Sequence, residues 1–347
     1  MTVYPQDDAW GNRTLPACAA HHADGLEDCQ VIALCDSWVL EPDPFPDGLR
    51  LAVWAPVDHD PLPEISRKVL AHPSVTPIAM SRFGEDRMRR RGLEPLYVPH
   101  GIDTALFRPR PDERDRVRDE LGVPRDAFLV GMVAANKGSP LASRKSFPQV
   151  FQAFAAFRQQ RPDALLYVHS NEIADGSGAG GVHLRALANA CGLPRRSVRF
   201  TDPLVWSLGV RREDVARMFS AFDVLASPSF GEGFGVPLLE AQACGVPVIA
   251  TDHSAMSELC EAGWLVDGDP WYDAPQDSWF KCPQIKLIRA ALELAYEARG
   301  DQELREEARA FALSYDADRV LSEHWLPALA RLDTERELPL IREYVSA

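Results

Sequence analysis

No stretch of this 347-residue chain approaches the roughly 18 consecutive apolar residues that a membrane-crossing helix needs. The opening residues, MTVYPQDDAW, carry acids and a proline where a secretory leader has a basic and then an apolar run. A soluble, cytoplasmic protein is the expectation. Paired cysteines are missing too. Cys18, Cys29, Cys35, Cys191, Cys244, Cys260 and Cys282 form an odd set with no CxxC and no regular spacing. Zinc sites want closely spaced ligand pairs and disulfide scaffolds want short, cysteine-dense chains, so these thiols read as small buried hydrophobes in a reducing compartment. Positive charge is also short: 37 Lys+Arg stand against 51 Asp+Glu, for a formal charge of −14. Such a surface repels phosphate backbones and makes nucleic acid an unlikely partner outside a local basic groove. What remains is ordinary for a globular protein, with 46% hydrophobic and 25% charged residues, and the length suits two domains.

Short apolar runs alternate with amphipathic ones, which predicts an α/β fold with mostly parallel sheets. Val31–Leu34, Leu51–Trp54, Pro77–Met80 and Leu96–Val98 read as strands, with a helix over Ser81–Arg91. Pro99–Arg125, rich in Pro, Arg and Asp, reads as a connection. A second set follows at Phe128–Ala134, Leu165–His169, Val198–Thr201, Val224–Ala226, Val246–Ala250 and Trp264–Val266. Phe147, Val150, Phe151, Phe154 and Phe157 share one helical face between its first two strands. Helices are expected near Arg211–Ala221 and Val236–Ala243, and a helical tail over Ile285–Arg331.

One glycine motif points the wrong way. Asp175–Gly181, DGSGAGG, contains G-x-G-x-x-G, and Asp202 follows about 20 residues on, where a dinucleotide fold keeps its ribose acid. The fingerprint must follow its strand at once and open a helix, because the pyrophosphate sits on that helix's first turn. Here Ser170–Ala174 intervenes, so the segment reads as a surface loop.

The segment that carries chemistry is Ser227–Glu258, SPSFGEGFGVPLLEAQACGVPVIATDHSAMSE. A strand ends in a loop with Gly231, Gly233 and Gly235, and a helix starts near Val236. Bare glycines let backbone N–H groups approach a ligand, and a helix start adds partial positive charge. Glu232 sits in the loop and Glu240 on the helix. Carboxylates accept hydrogen bonds from the vicinal hydroxyls of sugars.

Taken together, E-G-F-G-x-P-x-x-E-A-x-A-C-G-x-P-V-I-A strongly resembles the signature of glycosyltransferase family 4, the glycosyl transferases group 1, which are retaining enzymes of the GT-B fold. Ser81–Pro109, Arg144–Phe154 and Arg212–Ser229 are similar to further stretches of that family. The resemblance implies two Rossmann-like domains facing across a cleft. Residues 1–108 would form a shortened acceptor domain, 109–312 a nucleotide-sugar donor domain, and 313–347 a helix crossing back to the first domain. It also implies that Glu232 contacts the transferred sugar and that Glu240 binds the nucleotide ribose. Gly233, Phe234 and Gly235 would present backbone donors, while Lys145 and Arg144 neutralise the diphosphate. Independently of any family, glycosyl–phosphate cleavage leaves a diphosphate whose developing charge fixed cations stabilise. Basic residues before a helix N-terminus oppose its dipole, which favours a functional reading of that pair.

His59, in APVDHDP, lies about where the family keeps a histidine or acid beside the donor sugar, and Asp58 and Asp60 would orient it or raise its pKa. As a lone loop histidine it reads equally well as polar surface. No metal site is expected, since adjacent residues point apart and GT-B enzymes generally need none. His100 and His253 read as structural.

Two departures from the family stand out. Ala134-Ala135-Asn136 occupies the place of its Gly-Arg, with Arg144 or Lys137 as candidate substitutes. Met1–Gln30 supplies no strand, glycine-rich turn and long helix, so roughly the first 60 residues of a standard domain of this kind are expected to be lacking. The resulting expectation is a metal-independent, retaining hexosyltransferase using a UDP- or GDP-linked sugar and no cofactor, with an acceptor left open. A nucleotide-sugar-binding remnant without catalysis and a nucleotide-sugar epimerase of the same fold stay as alternatives. The basic run Arg82–Arg91 reads either as a peripheral membrane contact or as a solvated helix face.

Overall fold

The computed structural model describes residues 10–23, 25–26, 29–41, 45–137, 143–173 and 181–334. They divide into two units. The first takes the residues up to Gly101, Tyr272–Trp279 and those from Asp318 on; the second takes Ile102–Trp271 and Phe280–Ala317.

In the first unit four parallel strands, β1 (Val31–Leu34), β2 (Leu51–Ala55), β3 (Val75–Ala79) and β4 (Leu96–Tyr97), lie side by side in chain order. Alternation along β2 sorts its side chains between two cores. Leu51, Val53 and Ala55 face Val69, Leu70 and Met88 of the helices Glu64–Leu70 and Arg82–Arg90. Ala52 faces the other way, onto Val320, Ala328 and Leu332 of the C-terminal helical segment. Trp54 joins that side, its indole N–H donating to the Val98 carbonyl at 2.8 Å and its ring edge-on to Trp325. The terminal strand β1 leaves Ile32 and Leu34 exposed. Ahead of it, where no long helix is expected, Thr14–Ala23 forms a ten-residue one.

The basic run is not a free cationic face. Arg82 and Arg89 pair with Glu85, Arg90 with Asp86, Arg87 with Asp60 and Asp86, and Arg91 with Glu64. A helix face whose arginines already hold carboxylates has little charge left for anionic lipid.

The second unit is built on six parallel strands: β5 (Phe128–Val133), β6 (Ala164–His169), β7 (Val198–Phe200), β8 (Val224–Ala226), β9 (Val248–Thr251) and β10 (Gly263–Val266). Their spatial order is β10-β9-β8-β5-β6-β7. The expected aromatic face is real: Phe147, Val150, Phe151, Phe154 and Phe157, on the helix Phe147–Arg158, are fully buried with Ile288 and Leu292 of the helix Ile285–Glu297. Gly131 in β5 lies under the Phe222 ring, where a Cβ would come within 2.3 Å of ring carbons.

Two segments differ from expectation. The presumed connection 99–125 contains the helix Pro111–Glu120, started by Pro111 with Asp112 and Glu113 in its first turn. Residues 267–284, which carry no clear period, form a hairpin of β11 (Gly268–Asp273) and β12 (Ser278–Pro283). The cysteines are free thiols; Cys244 is buried in the core, Cys191 and Cys35 pack partly buried against core residues of their own units, and Cys191, Cys244 and Cys260 also stand at helix C-termini. The glycine motif at 175–181 lies outside the described residues except for Gly181.

Candidate functional site

The chain runs outward from β5 through β6 to β7, then returns to the other side of β5 for β8, β9 and β10. At such a reversal the loops leaving the carboxyl ends of neighbouring strands diverge and open a crevice. The loops after β5, β8 and β9 bring the predicted residues of this unit there.

Glu232 is at its centre. Lys145 Nζ donates to both carboxylate oxygens, at 2.5 and 2.7 Å, and Arg144 lies 3.6 Å from Oε2. Its backbone N–H donates to Ser254 Oγ at 2.9 Å, and the Phe230 N–H donates to the Arg144 carbonyl at 2.8 Å. Arg144 also donates to the Gly231 carbonyl. The three loops are therefore stitched together around one acid. Burial works to raise the pKa of Glu232, but Lys145 and Arg144 outweigh it and hold the group below its ordinary value. Ser146 and Ser254, on the flanking loops, are both left-handed, with φ of 58° and 55°. Such strained non-glycine positions cluster at binding loops.

The helix Val236–Ala243 starts at the crevice. Gly235, at φ 115°, turns the chain into it and makes no side-chain cap bond. Pro237 brings no N–H to this first turn and the Leu238 N–H donates to the Gly235 carbonyl at 2.9 Å, so the helix start offers its partial positive charge more than a row of donors. Phe234 does more than present its backbone: its ring is buried edge-on to Tyr315 and anchors the turn. Glu240, a turn further along, meets a different environment. Burial raises its pKa from 4.5 to about 7, against the pull of Arg212. The two glutamates thus sit on opposite sides of the ordinary carboxylate range.

The Gly-Arg substitutes behave unequally. Asn136 is buried and structural, donating to the carbonyls of Asn171 and Val182 and accepting from the Val182 N–H. Lys137 is exposed, whereas Arg144 faces Glu232.

His59 belongs to the first unit and has other company than expected. Its Nδ1 is 2.7 Å from Asp58 and its Nε2 is 3.0 Å from Asp273. Asp60, expected to assist it, instead pairs with Arg87 at 2.9 Å. Burial lowers the pKa of His59, but the two carboxylates win and raise it, which suits a doubly protonated ring. Asp273 escapes sequence reading because the hairpin carrying it does. His100 is half-buried against Trp54, and burial pushes its pKa down to about 4. Among the described residues no group of three His, Cys, Asp or Glu is placed to hold a metal ion, and no helix is long and apolar enough to cross a membrane.

Residues 132–275, which include Arg144, Lys145, Glu232 and Glu240, match the family described as Glycosyl transferases group 1. The D-inositol 3-phosphate glycosyltransferase of Corynebacterium jeikeium is 37% identical over 189 residues, covering 51% of this chain and 41% of that protein. The protein of the same name from Arthrobacter is 35% identical over 178 residues, 49% of this chain and 38% of its own length. The matched stretch is thus about two fifths of these relatives. In three dimensions a glycosyltransferase from Rickettsia africae aligns over 95% of this chain and 84% of its own, with a TM-score of 0.68 at 13% identity. Anabaena HepE, in complex with UDP and glucose, aligns over 82% and 72%, with a TM-score of 0.61 at 20% identity. Both likenesses concern the fold, which is α/β and Rossmann-like.

Proposed function

We propose that this protein is a retaining, metal-independent glycosyltransferase that moves a hexose from a nucleoside diphosphate to an acceptor hydroxyl. The observation that carries this reading is the Lys145–Glu232 pair at the strand-order reversal of the group 1 domain, beside an uncapped helix start. Glu232 would accept hydrogen bonds from sugar hydroxyls, while Lys145 and Arg144 turn to the diphosphate. Glu240 would take the ribose diol. Gly233, Phe234 and Gly235 would offer backbone donors. The C1–phosphate oxygen bond would break as the acceptor oxygen bonds C1 on the same face, with the acceptor proton passing to the departing diphosphate. Catalysis would rest on positioning and on fixed positive charge. HepE is a structural neighbour seen with UDP and glucose, which supports a UDP-hexose as first donor to try.

The test is nucleoside diphosphate release from UDP-, GDP- and ADP-sugars, with an acceptor panel that includes inositol phosphates because the curated relatives are named for one. Turnover with at least one donor, lost by about 10²-fold or more in Glu232→Ala, is expected. Silence across all donors, or full activity of that variant, refutes the proposal. One observation favours a second reading. Both ring nitrogens of His59 are committed to carboxylates, so the first unit offers no ready base there. A nucleotide-sugar binder without turnover would bind UDP in calorimetry yet release nothing.

A further inference from the structure

The opposite end of the second unit's sheet holds a cavity of about 640 Å³ whose walls include Arg110, Arg114, Arg125, Arg299, Arg305 and Arg309. It lies where the strands begin: Asp223 precedes β8, Arg125 precedes β5 and Gly245 precedes β9. It is therefore distinct from the crevice around Glu232. The acids lining it are Asp223 and Glu306.

Some of this charge is matched. Arg110 pairs with Glu113, and Arg125 pairs with Asp115 and Asp119. The rest is not. Asp223, 3% exposed, is shared by Arg114 at 2.6 Å, the fully buried Arg118 at 2.9 Å and Arg305 at 3.8 Å. Arg309 spends its donors on the carbonyls of Thr104, Phe107 and Ala243, and Arg305 donates to that of Gly245. Carbonyls satisfy N–H groups but leave the guanidinium charge in place. Six lining guanidiniums thus stand against two lining carboxylates, Asp223 and Glu306; Glu306 is exposed and accepts from Gln302, and Asp316 adds negative charge near Arg309. Arg114 and Arg305, 25% and 22% exposed, share one carboxylate and keep positive charge turned to the cavity, where an entering anion can meet it.

From this juxtaposition we propose that the cavity is a binding site for a small organic phosphate. The volume falls within the usual range for small-molecule sites, roughly 300–1,000 Å³. A phosphate brings up to two charges on one tetrahedral group, and the planar guanidinium fork bonds it bidentately. In a chain of net charge −14, such a concentrated cationic pocket stands out from its own surface.

The test is calorimetric titration of the full chain with pyrophosphate and, as a control of class, citrate. The variant Lys145→Ala removes the diphosphate partner proposed at the other end. Expected is a pyrophosphate site that survives Lys145→Ala and weakens about tenfold in Arg309→Gln, which removes a lining charge, and in Arg125→Glu, which sets a negative charge on the wall, with citrate binding far more weakly. Circular dichroism checks the folding of both; Arg125, 62% exposed, decides alone if Arg309→Gln does not fold. The proposal is overturned if Lys145→Ala abolishes all pyrophosphate binding, if Arg125→Glu binds as tightly as wild type, or if citrate matches pyrophosphate.

Discussion

The two ends of the six-stranded sheet handle buried charge in opposite ways. At the carboxyl end one acid, Glu232, is held by two cations, and Lys145 and Arg144 are 20% and 35% exposed. At the amino end one acid, Asp223, anchors three cations, one of them with no exposure. A cation that reaches water can give up its partner to a ligand. One sealed in the core cannot. The first arrangement is therefore suited to exchange of partners and the second to holding the fold, with its surplus charge turned into the cavity.

Substitution should separate the two ends, and the largest effect is expected at Asp223. Asp223→Asn leaves Arg118 charged and buried and weakens the acceptor of the Leu129 N–H at 2.7 Å. A loss of about 3–5 kcal/mol is expected, the range for stripping one partner from a buried pair. Urea denaturation measures it, and a loss below about 1 kcal/mol would erase the contrast. Glu232→Gln should instead cost about 1 kcal/mol or less in the same assay, because its cations can turn to solvent, while removing most turnover in the assay proposed above. Equal stability losses at the two acids would mean that exposure does not govern the difference.

The contrast also marks what could be read from residues alone. The aromatic face from Phe147 to Phe157 was legible because helical periodicity is a one-dimensional signal, and the Glu232 loop because its glycines and flanking acids are contiguous. The amino-end cluster is assembled from residues far apart in the chain, Arg118 lying 105 positions and Arg305 82 positions from Asp223. A trace of it does exist. Arg110, Arg114 and Arg118 recur every fourth residue, as do Arg305 and Arg309, which is one helix face in each case. Such a stripe reads as solvated charge until the fold supplies the carbonyls and the single acid that bury it. The His59 partnership failed for the same reason: Asp273 arrives from 214 residues away on a hairpin whose polar, proline-containing strands carry no clear period.

Glu240 offers a finer comparison with Glu232. Its pKa is raised from 4.5 to about 7, so the fold favours the neutral acid and takes up a proton across that window. Stability should fall as pH rises from about 4.5 to 7 and stay reduced above it. Glu240→Gln should remove this decline and gain about 1 kcal/mol at pH 8, a figure discounted for the group's partial exposure, with no gain at pH 4. Denaturation at the two pH values checks it. If a ribose diol does bond the ionised form, UDP affinity should rise with pH in wild type more than in the variant.

His59 gives the smallest effect, in a window that lies higher. Its folded pKa is raised above 6.5 by Asp58 and Asp273, so its contribution to stability is complete below 6.5 and fades as pH climbs through the folded value. Wild type should lose stability as pH rises above 6.5 through this group, and His59→Gln should flatten that limb while leaving the Glu240 limb between 4.5 and 7 intact. Denaturant midpoints taken across both windows resolve the two. A variant that flattened both limbs would show that the groups are coupled across the units, and one that flattened neither would show that Asp58 and Asp273 orient the ring without holding its second proton.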